Sequence, residues 1–266
     1  MTETIPDVSR LWLRRHRTLP EPRLRLVCLP HAGGTPAFYR GWQARIPSDV
    51  EFVAVCYPGR QDRFNEHPIT RMDLLADHIC QALAPLSDRP LALFGHSMGA
   101  VVAYEVAVRL ITQQGITPTA LLVSAHTAPH AHGDGIRKVP FSDDELAEQA
   151  RSADPLLRHS PELMSVVLPA LRADHDLLHA YRPTRTPRLA VPIIAYRGAD
   201  DERVSQEDMR AWGHVTDADV ELRTFPGGHF YLMQAEADLV ADIGSRLSSI
   251  PAAPEAGPFV KEVPRP

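Results

Sequence analysis

Residues 91–99 read Leu91-Ala92-Leu93-Phe94-Gly95-His96-Ser97-Met98-Gly99. Four consecutive apolar residues make a short run of the kind found in a central parallel strand, buried on both faces. From residue 98 to residue 111 the chain is apolar nearly all round, which predicts a buried helix. Between the two stands a G-x-S-x-G pentapeptide, in the strand–turn–helix context that the motif requires. A strand that turns at once into a helix holds Ser97 in strained backbone and projects its Oγ above the sheet edge. Gly95 and Gly99 leave room for the turn, since a Cβ at either would meet neighbouring strand or helix. The helix N-terminus below favours developing negative charge. Ser97 is therefore the candidate nucleophile.

Working outward, the flanking sequence repeats the same alternation. Strand signals occur at 24–29, 51–57, 120–124, 191–196 and, more briefly, 220–225. Helical periods occur at 71–84, with Thr70 and Asp73 as its expected capping box, and over 230–250. Strands alternating with helices predict an α/β fold, a mostly parallel central sheet flanked by helices and wound by right-handed crossovers. Residues 126–188 interrupt the rhythm with no strand signal and read as a helical lid insertion. Within it Ser142 and Glu145 cap one helix. Pro161 opens another, with an apolar side of Leu163, Met164, Val167, Leu168 and Leu171, and Pro169 is expected to kink it. The first twenty-odd residues are polar and expected to pack loosely. We read 1–250 as one domain and 251–266 as a disordered tail.

Length and composition bound the alternatives. The 266 residues are 44% hydrophobic and 23% charged, enough for a sizeable core. Cys28, Cys56 and Cys80 are too few for a disulfide scaffold and match no zinc spacing. Their sparseness and the lack of a signal-length apolar stretch near the start point to the cytoplasm. No run of 18 apolar residues suggests a membrane span. A net charge of −5 argues against nucleic acid as a partner. Residues 1–72 nevertheless carry 11 Arg against 7 Asp and Glu, either a composition bias or a basic face for an acidic partner.

A serine needs a base. Of 13 His, His229 in Phe225-Pro226-Gly227-Gly228-His229 follows the last strand, where loops open at the same carboxyl edge as Ser97. His96 adjoins the nucleophile but points elsewhere and is expected to pack or hydrogen-bond. His126, His130 and His132 read as a solvated loop in preference to a metal site, and His159, His175 and His179 fall within the insertion. The carboxylate that orients the base comes from Gly198-Ala199-Asp200-Asp201. A G-x-x-D pattern selects Asp201, with Asp200 the runner-up. The order Ser97, Asp201, His229 suits a nucleophile elbow. An oxyanion hole needs two backbone donors: Met98 N–H supplies one, and Ala32 N–H, in His31-Ala32-Gly33-Gly34, the other. No cofactor and no metal is expected.

The elbow GHSMGA, the loop LPHAGG, the segment YPGRQDRF, the insertion segment PELMSVVLPALRADHDLLHAY and the closing FPGGHFYL together resemble the type II thioesterases. These are the free-standing hydrolases that accompany polyketide synthases and non-ribosomal peptide synthetases. The resemblance spans residues 22–248. It implies an α/β-hydrolase fold with a helical lid, with Ser97, Asp201 and His229 as triad and Ala32 and Met98 as oxyanion hole. It also implies a phosphopantetheinylated acyl or peptidyl carrier protein as transient partner, from which aberrant or stalled chains are removed. His31 and the lid residues Leu163, Met164, Leu168 and Leu171 are then expected to contact the acyl chain. Thioesterase domains fused to synthase ends usually carry the acid after the strand that follows the nucleophile helix. Here Leu122-Val123-Ser124-Ala125-His126 offers no carboxylate, which favours Asp201 and the free-standing type. Gln61 replaces a more usual Glu, and His175 a common aromatic. A carboxylesterase or lipase on the same triad is the main alternative reading. A chain-releasing cyclase or acyltransferase and a non-catalytic carrier-binding module are further ones.

Overall fold

The short apolar runs become strands because their flanks cannot continue them. Pro30 ends the first and Pro58-Gly59 follows the second, while the third passes straight into a helix. The computed structural model describes residues 8–132, 141–153 and 155–251. In chain order the elements are α1 (Val8–Trp12), β1 (Leu13–Arg14), β2 (Leu24–Leu29), β3 (Val50–Val55), α2 (Met72–Leu83), β4 (Leu91–His96), α3 (Met98–Gln114) and β5 (Ala120–Ser124). There follow α4 (Asp143–Ala153), α5 (Pro161–Ala180), β6 (Ile193–Gly198), α6 (Gln206–Arg210), β7 (Val220–Phe225), α7 (Tyr231–Gln234) and α8 (Glu236–Ser249). The seven strands form one sheet in the order β1-β3-β2-β4-β5-β6-β7. Only β1 is antiparallel to its neighbour.

The sheet is covered on both faces, as a parallel sheet must be. One apolar cluster joins alternate strand residues such as Val27, Leu93 and Val123 to α2 and α3. The other joins Leu26, Phe94 and Leu122 to Trp42, Tyr39 and the α8 residues Leu239 and Ile243. Register brings Leu29 of β2 level with Gly95 of β4, and His96 level with Ser124 of β5. The ends of β2, β4, β5, β6 and β7 thus open onto one rim. Helices α4 and α5 lie between β5 and β6 in the chain and form a small cluster of their own, Leu146, Ala147, Ala150, Leu157, Met164 and Leu171.

Several expectations are corrected. Trp12 and Leu13 are buried and residues 13–14 pair with β3, so this stretch is not loosely packed, while residues 15–18 are exposed. Arg71, and not Thr70, is the N-cap of α2; it makes no side-chain cap bond, and its guanidinium instead pairs with Asp73. The C-terminal helix is two helices, broken at Ala235, whose φ of −98° and ψ of 23° leave the helical range. The Ser142–Glu145 cap is present, with Ser142 N–H donating to Glu145 Oε2 at 2.8 Å. Pro161 opens α5 as expected, and Pro169 lies inside that helix. The tail 252–266 lies outside the described residues.

Candidate active site

Ser97 sits at φ 53°, ψ −120°, left-handed backbone that an L residue occupies only under constraint. The constraint is backbone packed on backbone. A Cβ on Gly95 would lie 2.0 Å from Gly99 O, and one on Gly99 would lie 2.1 Å from Leu29 O. Glycine alone lets β4, α3 and β2 approach this closely. Ser97 N–H donates to Ser124 O at 2.8 Å, and Ala100 N–H to Ser97 O at 2.9 Å, which pins the turn on either side.

The three side chains that sequence brought together on paper meet in space. Ser97 Oγ lies 3.1 Å from His229 Nε2, and His229 Nδ1 lies 2.9 Å from Asp201 Oδ2. An ionised carboxylate only accepts, so the ring proton belongs on Nδ1 and Nε2 is left to accept from the serine hydroxyl. Asp201 Oδ1 also accepts Arg203 N–H at 2.9 Å. Burial pushes the Asp201 carboxyl up, but the hydrogen bond and charge of His229 and the backbone N–H groups of Arg203 and Val204 outweigh it. The net effect holds Asp201 below the usual carboxylate range. Asp200 is exposed and uses its backbone N–H on Gly227 O.

Met98 is the first residue of α3, so its N–H lacks an intrahelical acceptor. Ala32 follows β2 at the same rim and lines the cavity beside Ser97 and His229. That cavity holds about 450 Å³. Residues 31–35, Ala37, Phe38 and Phe230 line it, as do Val167, Leu171, His175 and Leu178 of α5. Two of the expected acyl contacts, His31 and Leu171, are lining residues. The other three are not. Leu163 is 49% exposed, while Met164 is buried in the lid cluster and Leu168 packs against it. Met164 and Leu168 lie one position round the helix from the Leu163–Val167–Leu171–His175 stripe, whereas Leu163 lies on that stripe one turn before the cavity-lining Val167. Of the insertion histidines only His175 lines the cavity.

The other histidines are accounted for locally. His96 is fully buried and contacts Ser124 Oγ through Nδ1 at 2.9 Å, and Ser124 Oγ meets Tyr231 Oη at 2.8 Å. Burial, then the neighbouring His229 and His31, push His96 well below the ordinary imidazole range. Burial, with His229 and Arg60 nearby, lowers His31 to about 3. His126 and His132 are partly buried, stack at 5.5 Å and bond to the carbonyls of Thr127 and Leu178, so they are less solvated than expected. Among the described residues no group of three potential ligands is placed to hold a metal. Two residues escaped notice as site components: Arg60 and Asp174, joined beside the Ala32 loop. Their signal was an acid at helical spacing from the apolar Leu171 and Leu178, and an arginine in a Pro-Gly turn.

A mostly parallel sheet, a serine on a strained strand-to-helix turn and a linked imidazole and carboxylate define a serine hydrolase of the α/β-hydrolase fold. Residues 24–247 match the thioesterase domain family, and the chain belongs to it. It is 37% identical over 253 residues to the thioesterase PikA5 of Streptomyces venezuelae, covering 93% of this chain and 89% of that one. The solved structure of BorB, a type II thioesterase from the borrelidin biosynthetic cluster, superposes with a TM-score of 0.82 at 40% identity, covering 92% of this chain and 99% of that chain. A relative of another size is the AMB antimetabolite synthetase AmbE of Pseudomonas aeruginosa. It is 39% identical over 241 residues, 90% of this chain but only 11% of that protein.

Proposed function

We propose that this thioesterase hydrolyses acyl groups from the phosphopantetheine arm of acyl or peptidyl carrier proteins in the cytoplasm, and so clears aberrant or stalled chains during polyketide or non-ribosomal peptide synthesis. The observation that carries the reading is the Ser97–His229–Asp201 relay, at 3.1 and 2.9 Å, opening into a cavity walled by the lid helix α5. Similarity to BorB, a type II thioesterase, supports the type II reading. Three free, buried cysteines suit a reducing compartment, and no helix among the described residues is long and apolar enough to cross a membrane.

In this mechanism the Ser97 hydroxyl gives its proton to His229 Nε2 as Oγ attacks the thioester carbonyl. The carbonyl oxygen gains negative charge and is held by Met98 N–H and Ala32 N–H, each contributing on the order of 3 kcal/mol to the transition state. Asp201 stabilises the imidazolium and keeps its proton on Nδ1. The C–S bond breaks, the thiolate leaves and takes the proton from His229, and an acyl-serine remains. Water then gives a proton to His229, attacks the acyl-serine, and the free acid departs as Ser97 recovers its hydroxyl. A thiolate leaves readily, so the geometry's main demand is on charge stabilisation.

The test is intact-mass analysis of acylated carrier proteins incubated with the enzyme. Loss of acyl mass with wild type, and none with Ser97→Ala, is the expected result; the serine variant falls by about 10⁵-fold or more. An oxygen ester of the same acyl group, cleaved faster than the thioester, would overturn the substrate reading in favour of an esterase.

A further inference from the structure

Beside the relay lies a charged pair that the mechanism above does not use. Arg60, in the turn after β3, and Asp174, on α5, form a bidentate ion pair, Nη1 to Oδ2 and Nη2 to Oδ1, both at 2.8 Å. Both side chains are about 95% buried. A buried pair of this kind adds little net stability over well-packed apolar residues of similar volume. Its remaining contacts show a more specific use, because both partners reach one loop.

Asp174 Oδ2 accepts the Gly33 N–H at 2.7 Å, and Arg60 Nη1 donates to Gly34 O at 3.3 Å. Gly34 N–H in turn donates to the His31 carbonyl at 2.9 Å. The His31 carbonyl and the Ala32 N–H belong to one planar trans peptide, where they point in opposite directions. Holding the carbonyl therefore aims the N–H. Gly33 has φ +73°, and a Cβ there would stand 3.0 Å from Leu171 Cδ1, so the loop is seated against α5. The peptide before Ala32 is thus held through Gly34, and the peptide after it through Asp174.

We propose that Arg60 and Asp174 are positioning residues that aim the Ala32 N–H at the developing oxyanion and couple its aim to lid helix α5. The ion pair orients the carboxylate, the carboxylate and guanidinium fix the two glycines, and the glycines fix the donor. A shift of α5 that carries Asp174 away releases Gly33 and with it one of the two oxyanion donors. Closure of this part of the lid is then a condition for chemistry as well as for substrate enclosure.

The proposal rests on Ala32 acting in the hydrolysis proposed above. Turnover of an acyl N-acetylcysteamine thioester by wild type, and its loss in Ser97→Ala, tests that reading separately. The positioning role is tested with the double variant Arg60→Met/Asp174→Leu, which removes both buried charges together and leaves none unpaired. Rates are expressed per Ser97 titrated with a fluorophosphonate, so unfolded molecules do not count. The expected result is a thermal midpoint near that of wild type, KM within about threefold, and kcat lower by about 10- to 100-fold. A folded double variant with kcat within threefold of wild type, or a change in KM alone, overturns the proposal. Should the double variant fail to fold, Arg60→Lys keeps the charge opposite Asp174 and loses the fork that reaches Gly34. It is expected to lower kcat at least fivefold at unchanged KM, and an unchanged kcat overturns the proposal equally.

Discussion

At the elbow, backbone packs on backbone. Gly95 and Gly99 bring β4, α3 and β2 so close that a single added carbon would stand about 2 Å from a carbonyl oxygen. In the lid, side chains pack on side chains: Leu146, Ala147, Ala150, Leu157, Met164 and Leu171 make a cluster of their own. Backbone contacts of the first kind have no compliance, whereas apolar side chains can repack at modest cost. The nucleophile is accordingly held in one geometry by the rigid wall. The facing wall, where α5 lines the cavity, is free to vary in shape without disturbing Ser97. Arg60 and Asp174 are where the two constructions are joined.

The largest break in this comparison comes from the rigid wall. Asp201→Asn keeps size and polarity but can offer an N–H to His229 Nδ1, which favours the wrong tautomer and leaves Nε2 protonated. We expect kcat to fall about 10⁴-fold, roughly 5–6 kcal/mol of transition-state stabilisation, with a nearly unchanged thermal midpoint. Asp200→Asn, on an exposed side chain one residue away, is expected to stay within twofold of wild type. Steady-state kinetics on a soluble thioester decides; equal losses in the two variants would assign the acid wrongly.

How much of this was legible in sequence follows from the same contrast. The buried strands announced themselves as short apolar runs between turn residues; β2 and β5 fall where expected, as does the largely exposed edge strand β7. Helix α3 runs past residue 111 to Gln114, beyond the apolar pattern because Thr112, Gln113 and Gln114 are polar; its stop is set by Gly115 in a left-handed C-cap. Strand β1 is two residues long and exists only by pairing with β3, so no local pattern marks it. Ser97, Asp201 and His229 were readable because each closes a strand at the shared rim, which topology alone brings together. The Arg60–Asp174 pair was not: Arg60 follows β3, but Asp174 sits inside α5 and closes no strand, so topology alone does not join them. The cavity-lining residues of α5 were half readable: periodicity showed that α5 has an apolar side, but not which part of it meets α4 and which the cavity.

A smaller effect sharpens the electrostatic side of the rigid wall. His31 and His96 are buried, and His31 Nδ1 and His96 Nε2 have no hydrogen-bond partner. Burial lowers His31 to about 3 and His96 well below 6.5, whereas the unfolded chain titrates both near 6.5. Below pH 6.5 the unfolded state therefore binds protons that the folded state refuses. Stability is complete above that pH and falls as the pH drops toward the folded values. Each histidine contributes a slope of about 1.4 kcal/mol per pH unit once the unfolded form is protonated. Urea midpoints measured from pH 7.5 to 5 should fall accordingly, and His96→Asn should remove one histidine's share of the slope. Parallel pH profiles for the variant and wild type would refute the assignment.

The smallest expected effect tests the lid against itself. On α5, Leu163 and Val167 are one turn apart, so sequence assigns them to a common apolar side. Only Val167 lines the cavity; Leu163 is half exposed. Truncating Leu163 removes little buried surface and leaves no cavity, so Leu163→Ala should change stability by no more than about 0.5 kcal/mol. It should also leave the ratio of kcat/KM for long and short acyl thioesters unchanged. Val167→Ala enlarges the acyl wall by two methyl groups without touching the relay, and its expected signature is a shift of that ratio toward longer or branched chains at similar kcat for the best substrate. A loss of kcat in Val167→Ala for every chain length would mean that the lid surface governs the chemistry directly. The separation between a rigid catalytic wall and a variable acyl wall would then fail at its most permissive point.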